Sequence, residues 1–85
     1  MTSEEIESLI KQNVELDEVR VKTDGSHVEV IAVGEVFAGL SRVKQQQTIY
    51  KPLMDKIKDG TLHAVTIKAF TPEKWEREKK LIFPS

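Results

Sequence analysis

Three strand-like runs, and the helical stretch between the last two, limit this chain to a small number of folds. In residues 17–24, hydrophobic and polar residues alternate with a period of two, which is typical of a strand with one exposed face. Residues 27–33, HVEVIAV, form a second and more hydrophobic run, and the TDGS between the two runs is a turn signal in which Gly25 is free to take a positive φ. We therefore expect residues 17–33 to form an antiparallel hairpin.

The third strand-like run, HAVTIKAF at 63–70, follows only after a long helical segment. That helix is predicted to begin at Arg42, with Ser41 as its N-cap, and to end at Gly60. A crossover of this length normally returns a strand parallel to the one that it left. The sequence thus predicts a three-stranded mixed sheet in which the second and third strands are parallel.

Helical patterns also lie at both ends of the chain. Thr2 and Glu5 have the spacing of a capping box for a first helix, and Thr71 followed by Pro72 is a typical start for a last one. We expect Trp75, in the last helix, to pack on the sheet. The predicted order is helix, strand, strand, helix, strand, helix.

The middle helix contains a proline that should interrupt it. Pro52 cannot donate a backbone hydrogen bond, so we expect a kink or a break near Tyr50 that would give two abutting helices. The charged end of the chain should fray after about Lys80, which makes 81–85 a loosely held tail.

The composition describes one small domain without thiol chemistry. With 85 residues the chain has room for a single core, so we expect one domain over residues 1–85. The 13 basic and 14 acidic residues nearly cancel, which argues against a general attraction to nucleic acid or anionic membranes. The N-terminus lacks the features of a signal peptide and no run is apolar enough to span a bilayer, so we expect a cytoplasmic location and no membrane partner. Because there is no cysteine, metal chemistry would have to rest on histidine, carboxylate or a partner.

The two histidines of the chain open the second and third strand-like runs. Parallel strands begin at the same edge of a sheet, so His27 and His63 would lie roughly 5 Å apart if the two strands are neighbours. Imidazole is a good ligand for borderline metals, but a closed zinc site needs four ligands, and Asp24 is the one nearby candidate for a third. Two interpretations stay open: ordinary turn and strand-entry histidines, or half of a site that another protein completes.

Two segments, DGSHVEVIAVGEVFAGLSRVKQQQTIYKPL and LHAVTIKAFTPEKW, resemble the BolA family in their order and spacing. The second segment is the more diagnostic, because family members place a histidine before the third strand and a TP helix start, followed by tryptophan, after it. The resemblance implies a single α+β domain of the αββααβα type with a three-stranded mixed sheet, related to the class II KH topology.

The resemblance also implies a function. BolA-like proteins form a heterodimer with a monothiol glutaredoxin and share a [2Fe–2S] cluster with it. The histidine at the position of His63 is the family's cluster ligand, and the loop before the second strand supplies a second candidate, here His27. Glutaredoxin and its glutathione would supply thiolates, so the isolated chain would hold no cluster. The implied role is in iron–sulfur trafficking, iron homeostasis and stress response.

A nucleic-acid-binding role in transcription is the alternative, suggested by the KH-like topology and by the transcriptional role of relatives. Arg42 and Lys44 lie at a predicted helix N-terminus, where backbone N–H groups favour phosphate. Against it, Glu35 would repel phosphate, and the glutamines at 45–47 stand where many relatives carry a basic step. An enzyme is not expected, because the chain has neither a cysteine nucleophile nor a phosphate-binding glycine loop.

Overall fold

The computed structural model describes residues 2–24 and 27–82, and the elements within these ranges confirm the predicted fold class. In chain order they are α1 (Ser3–Asn13), β1 (Glu18–Asp24), β2 (His27–Val33), a 3₁₀ helix (Glu35–Phe37), α2 (Arg42–Lys58), β3 (Ala64–Phe70) and α3 (Pro72–Ile82). The turn predicted at Gly25 lies outside the described residues. Within them, no helix has the length and hydrophobicity to cross a membrane.

The three strands form one mixed sheet in the order β1-β2-β3. β1 and β2 pair antiparallel, with Glu18 opposite Val33 and Asp24 opposite His27, which confirms the hairpin. β2 and β3 pair parallel, with His27 opposite Ala64. The crossover rule therefore predicted the direction of β3 correctly. Because β2 and β3 are also neighbours, both strands begin at the same edge of the sheet.

The sheet buries side chains on both faces, because successive residues of a strand point to opposite sides. On one face, α1 and α2 pack against all three strands around a cluster whose fully buried members include Ile6, Ile10, Val30, Phe37, Ile49 and Leu53. On the other face, α3 places Trp75 against Ile31, Val33 and Phe70. The rings of Trp75 and Phe70 are 5.3 Å apart, which confirms the predicted packing of the tryptophan at the C-terminal ends of β2 and β3.

α2 is a single helix of 17 residues, so the predicted break near Tyr50 is wrong. Pro52 does lie inside the helix and leaves the carbonyl of Thr48 without its usual donor. The helix continues because Ile49 and Leu53, on either side of the proline, are both fully buried in the same core. Packing of both halves on one sheet offsets the missing hydrogen bond.

The helix ends agree closely with the predicted caps. The Ser41 side chain accepts the Lys44 N–H, and the Thr71 hydroxyl accepts the Lys74 N–H, both at 3.3 Å. Gly60, after the C-cap of α2, has a φ of +84°, the left-handed conformation that favours glycine. α3 extends to Ile82, and the rest of the tail for which fraying was predicted, residues 83–85, lies outside the described residues.

Candidate functional site

The two histidines lie at one edge of the sheet. His27 is the first residue of β2 and pairs with Ala64, the first residue of β3, while His63 directly precedes Ala64. Both histidines are exposed. The expectation that parallel, neighbouring strands would bring them to the same edge is therefore confirmed.

The third strand begins one residue later than predicted, at Ala64 rather than at His63. The physical reason lies in the turn from α2, where the Leu62 N–H donates to the Lys56 carbonyl at 3.0 Å and holds that part of the chain to the helix end. Residues that pair directly in a sheet share a face, so His27 and Ala64 share one. The backbone of His63 lies outside the ladder and is positioned by the turn.

His27 lies in a shallow cleft that contains both acidic and basic neighbours. Residues of β1, β2 and β3 line it: Lys22, Asp24, His27, Val28, Glu29 and Thr66. Asp24, the third ligand considered from the sequence, is directly opposite His27 in the hairpin register. Even so, nowhere in 2–24 and 27–82 are three His, Asp or Glu side chains arranged to hold one metal ion.

His63 follows a turn in which one carboxylate is used as a hydrogen-bond acceptor. The Thr61 N–H donates to the Asp59 Oδ1 at 2.8 Å. The hydroxyl and the backbone N–H of Thr61 lower the pKa of the Asp59 carboxyl, because both bonds favour its charged form. The residue between this turn and His63, Leu62, is 4% exposed and belongs to the main core.

The donors at this edge are too few to hold an iron–sulfur cluster without ligands from outside the chain. A [2Fe–2S] cluster needs four protein or thiol ligands, and histidine can replace cysteine at one of its irons. The described residues offer two exposed imidazoles at one edge and no thiolate, since the chain has no cysteine. Two nitrogen ligands from His27 and His63, with the remaining ligands from outside, fit this requirement.

The residues of the alternative, nucleic-acid-binding interpretation lie elsewhere, at the start of α2. Arg42 lies in a cleft between α2, β3 and α3 that also contains Lys68 and Lys74, a grouping that the sequence analysis missed. Lys44 is exposed in the first turn of α2 and is not part of this cleft. Glu78 shares the cleft, and its Oε2 lies 4.0 Å from the Lys74 Nζ, so the cleft is not uniformly basic.

Three polar side chains of α2 have structural partners that the sequence analysis did not identify. The Gln45 amide donates to the carbonyls of Phe37 and Leu40, at 3.1 and 3.3 Å. The Gln46 amide donates to the Ile67 carbonyl at 2.7 Å, and the Tyr50 hydroxyl donates to the Val65 carbonyl at 2.9 Å. Gln46 and Tyr50 precede the fully buried Leu53 by seven and three residues, which places all three on one face of the helix. These side chains therefore hold α2 to the connector and to β3.

Comparisons with known proteins agree with this architecture. A family model described as BolA-like protein matches residues 5–74. Over 81 residues the chain is 56% identical to the acid stress protein IbaG of Escherichia coli (strain K12), an alignment that covers 95% of this chain and 96% of IbaG. The BolA domain of SufE1 from Arabidopsis thaliana is 31% identical, with a TM-score of 0.73 and coverage of 84% of this chain and 92% of that domain.

A second solved structure supports the fold alone, because its sequence is distant. A bol-like protein from Babesia bovis is 18% identical, yet it gives a TM-score of 0.78 and coverage of 93% of this chain and 94% of that chain. The family model spans most of the chain, and its residues 5–74 include both histidines. On this basis the chain belongs to the BolA family.

Proposed function

We propose that the protein is the heterodimeric partner of a monothiol glutaredoxin and shares a glutathione-assisted [2Fe–2S] cluster with it. In this proposal His63 and His27 are the ligands that the chain contributes. The observation that supports it best is the parallel register of β2 and β3, which brings two exposed histidines to one edge of the sheet. The family membership gives that edge its interpretation.

The number and type of donors favour a shared site over a self-sufficient one. Two imidazoles are too few for a closed site, and the described residues offer no three-ligand group. Glutaredoxin and glutathione would bring the thiolates that a chain without cysteine lacks. When bound, such a cluster supplies one-electron chemistry, and histidine ligation raises its potential relative to an all-thiolate cluster.

The two histidines would not contribute equally. His63 follows a hydrogen-bonded turn and a buried leucine, so the backbone that carries it is well positioned before any ligand binds. His27 shares its cleft with Asp24 and Glu29, and either carboxylate could accept a hydrogen bond from its imidazole instead. We therefore assign the principal ligand role to His63 and the secondary role to His27.

The proposed setting is the cytoplasm, where the protein would act in iron–sulfur trafficking, iron homeostasis and stress response. The name of the relative IbaG, an acid stress protein, supports the link to stress. The protein would act by binding rather than by catalysis, since its contribution is a pair of ligands and a docking surface.

A spectroscopic titration tests this function. The isolated protein should be colourless, and its addition to a cluster-loaded monothiol glutaredoxin with glutathione should change the visible circular dichroism of the cluster. His63→Ala should remove most of that change, and His27→Ala should remove a smaller part. Lys22→Ala is a matched control, because Lys22 lines the His27 cleft but lysine is not among the residues that ligate iron–sulfur clusters.

The double variant gives the clearest outcome. If His27→Ala/His63→Ala still produced the wild-type spectrum and the same cluster stability, the histidine ligands would be disproved. A wild-type protein that left the spectrum unchanged at high concentration would disprove the shared cluster itself.

Nucleic-acid binding is the second candidate, because Arg42, Lys68 and Lys74 share one cleft beside the N-terminus of α2. We expect it to be weak, since Glu78 lies in the same cleft and the net charge of the chain is −1. Phosphate contacts are strongest at low salt, so a titration of duplex DNA at low ionic strength is decisive. Binding that rises steeply as salt falls, and that Arg42→Ala/Lys68→Ala reduces more than Lys44→Ala, would favour this candidate over the first.

A further inference from the structure

The turn that carries His63 is held by hydrogen bonds at every backbone N–H from the end of α2 to Leu62. Three of these bonds join backbone groups and do not depend on side-chain identity: Asp59 N–H to Asp55, Gly60 N–H to Ile57, and Leu62 N–H to Lys56, at 3.0, 3.3 and 3.0 Å. The fourth is different, because the Thr61 N–H donates to a side chain, the Asp59 Oδ1, at 2.8 Å. The geometry of the turn thus depends on one side chain, that of Asp59.

Both flanks of His63 are also fixed. On one side, Leu62 is 4% exposed and packs in the main core. On the other side, Ala64 pairs with His27 in the sheet, and the Val65 carbonyl accepts the Tyr50 hydroxyl at 2.9 Å. An exposed histidine is therefore carried on a backbone that is anchored before and after it.

The carboxylate of Asp59 is poorly placed for stabilising the helix that it ends. It lies at the C-cap of α2, where the helix dipole disfavours negative charge and favours cations such as Lys56 and Lys58 of the last turn. The dipole therefore does not explain a negative charge at this position, whereas the hydrogen bond that the carboxylate accepts from the Thr61 N–H does. The bond closes the turn two residues before His63.

We propose that Asp59 is a positioning residue for His63, whose carboxylate closes the α2–β3 turn so that the imidazole is presented to a shared metal cluster. This inference rests on the proposed function and names a residue that assists its principal ligand. A ligand on a preorganised backbone loses less conformational freedom when it binds, so it binds more tightly than the same ligand on a mobile turn. Asp59 touches neither the cluster nor the partner in this role.

The substitutions follow from the chemistry of the bond. Asp59→Ala removes the acceptor, whereas Asp59→Asn keeps an Oδ1 acceptor and removes the charge. Because residue 59 is exposed, neither change threatens the core, and far-UV circular dichroism with urea unfolding checks the fold of each variant. Asp55→Ala is the matched control, since it removes a carboxylate from the same helix end without removing the side-chain bond of the turn.

The first measurement uses the full chain alone, without any cluster. Amide hydrogen exchange followed by NMR should show the Thr61 amide exchanging about tenfold faster in Asp59→Ala than in the wild type, the effect of losing about one hydrogen bond. Asp59→Asn and Asp55→Ala should stay close to the wild type. Unchanged exchange at Thr61 in Asp59→Ala would overturn the inference.

The second measurement is the glutaredoxin titration described above. Asp59→Ala should need several-fold more protein than the wild type to reach half of the spectral change, while Asp59→Asn should titrate like the wild type. An Asp59→Asn variant as weak as Asp59→Ala would show that charge, not the acceptor, matters, and would overturn the positioning role.

The two proposals fail in different ways. If His63→Ala removed the spectral change and Asp59→Ala behaved like the wild type, the positioning role would be wrong and the ligand role would stand. If the double histidine variant also behaved like the wild type, the proposed function itself would be wrong.

Discussion

At the scale of single residues, neighbouring glutamines of α2 serve different purposes. Gln46 reaches across to β3 and donates to the Ile67 carbonyl at 2.7 Å, whereas Gln47 is exposed. From the sequence, all three glutamines were interpreted as the replacement of a basic step. Their structural use was not predictable, because the Ile67 carbonyl is 21 residues away along the chain and its position depends on the crossover.

The difference between the two glutamines is testable with one substitution made at each. Gln46→Ala removes the bond to β3 and should lower the free energy of unfolding by about 1 kcal/mol. Gln47→Ala should change it by less than about 0.5 kcal/mol, as is usual for an exposed position. Urea denaturation of both variants measures the difference, and equal losses would contradict the assigned role of Gln46.

The histidine edge was predictable from the sequence at this same scale, but the exact start of β3 was not. The direction of β3 follows from the length of the crossover, whereas its adjacency to β2 was a condition of the prediction that the structure then met. The one-residue offset arises from the Leu62 bond to Lys56, a contact of the turn that has no clear signature in composition or periodicity.

At the scale of elements, the caps were the most predictable features and the proline was the least. The capping box of α1 forms as its spacing predicted: the Thr2 N–H donates to the Glu5 Oε1 at 3.0 Å, and the Glu5 N–H donates to the Thr2 Oγ1 at 3.1 Å. Such local signals need no tertiary information. The effect of Pro52 on α2 could not be predicted without tertiary information, because burial of Ile49 and Leu53 decides whether the helix continues.

The capping box makes part of the stability depend on pH. The hydrogen bond from the Thr2 backbone, and then that from its side chain, lower the pKa of Glu5 from its ordinary value of 4.5. A carboxyl with a lowered folded-state pKa stabilises the protein fully above its unfolded-state pKa, and this contribution is lost as the pH falls through the folded-state pKa.

A substitution that keeps the bond and removes the titration isolates this effect. Glu5→Gln should lose less stability than the wild type between about pH 6 and about pH 3, as measured by urea unfolding at both values. Glu4→Gln is the control, because it removes a charge from the same turn without replacing the capping carboxylate. A Glu5→Gln variant with the same acid loss as Glu4→Gln would contradict the contribution of the capping box.

The continuous α2 gives a prediction of its own. Pro52→Ala restores a donor for the Thr48 carbonyl, which should stabilise the helix. It also raises the conformational entropy of the unfolded chain, which offsets part of that gain in stability. The net result should be a free energy of unfolding higher by about 1–3 kcal/mol. Urea denaturation measures this change in the free energy of unfolding, with Lys51→Ala as the control because Lys51 is an exposed neighbour in the same helix. An unchanged or lower stability of Pro52→Ala would show that the proline is favourable where it lies.

At the scale of the whole molecule, the fold separates stability from presentation of the histidines. The large core lies between the sheet and the two helices α1 and α2, and a second cluster around Trp75 covers the C-terminal ends of β2 and β3. The opposite edge, where β2 and β3 begin, carries both exposed histidines. A partner that docks at this edge would not disturb either cluster.

The order of elements and the direction of every strand could be predicted, because they follow from the periodicity of each segment and from general rules of chain connection. The contacts that side chains make with residues distant in sequence could not be predicted. This is why the histidine pair was found from the sequence, while the partner of Tyr50 and the cleft that Arg42 shares with Lys68 and Lys74 were not.

The central claim is that nitrogen atoms of this chain bind the iron of a shared cluster, and isotope labelling measures this directly. The protein is labelled with nitrogen-15 and mixed with an unlabelled, cluster-loaded monothiol glutaredoxin and glutathione, and the complex is reduced by one electron for pulsed electron paramagnetic resonance. We predict a strong nitrogen-15 hyperfine coupling, as expected for imidazole bonded to iron, which is reduced by His63→Ala and absent from the double variant with His27→Ala. A reduced cluster that stays in the complex without any strong nitrogen-15 coupling would contradict the claim.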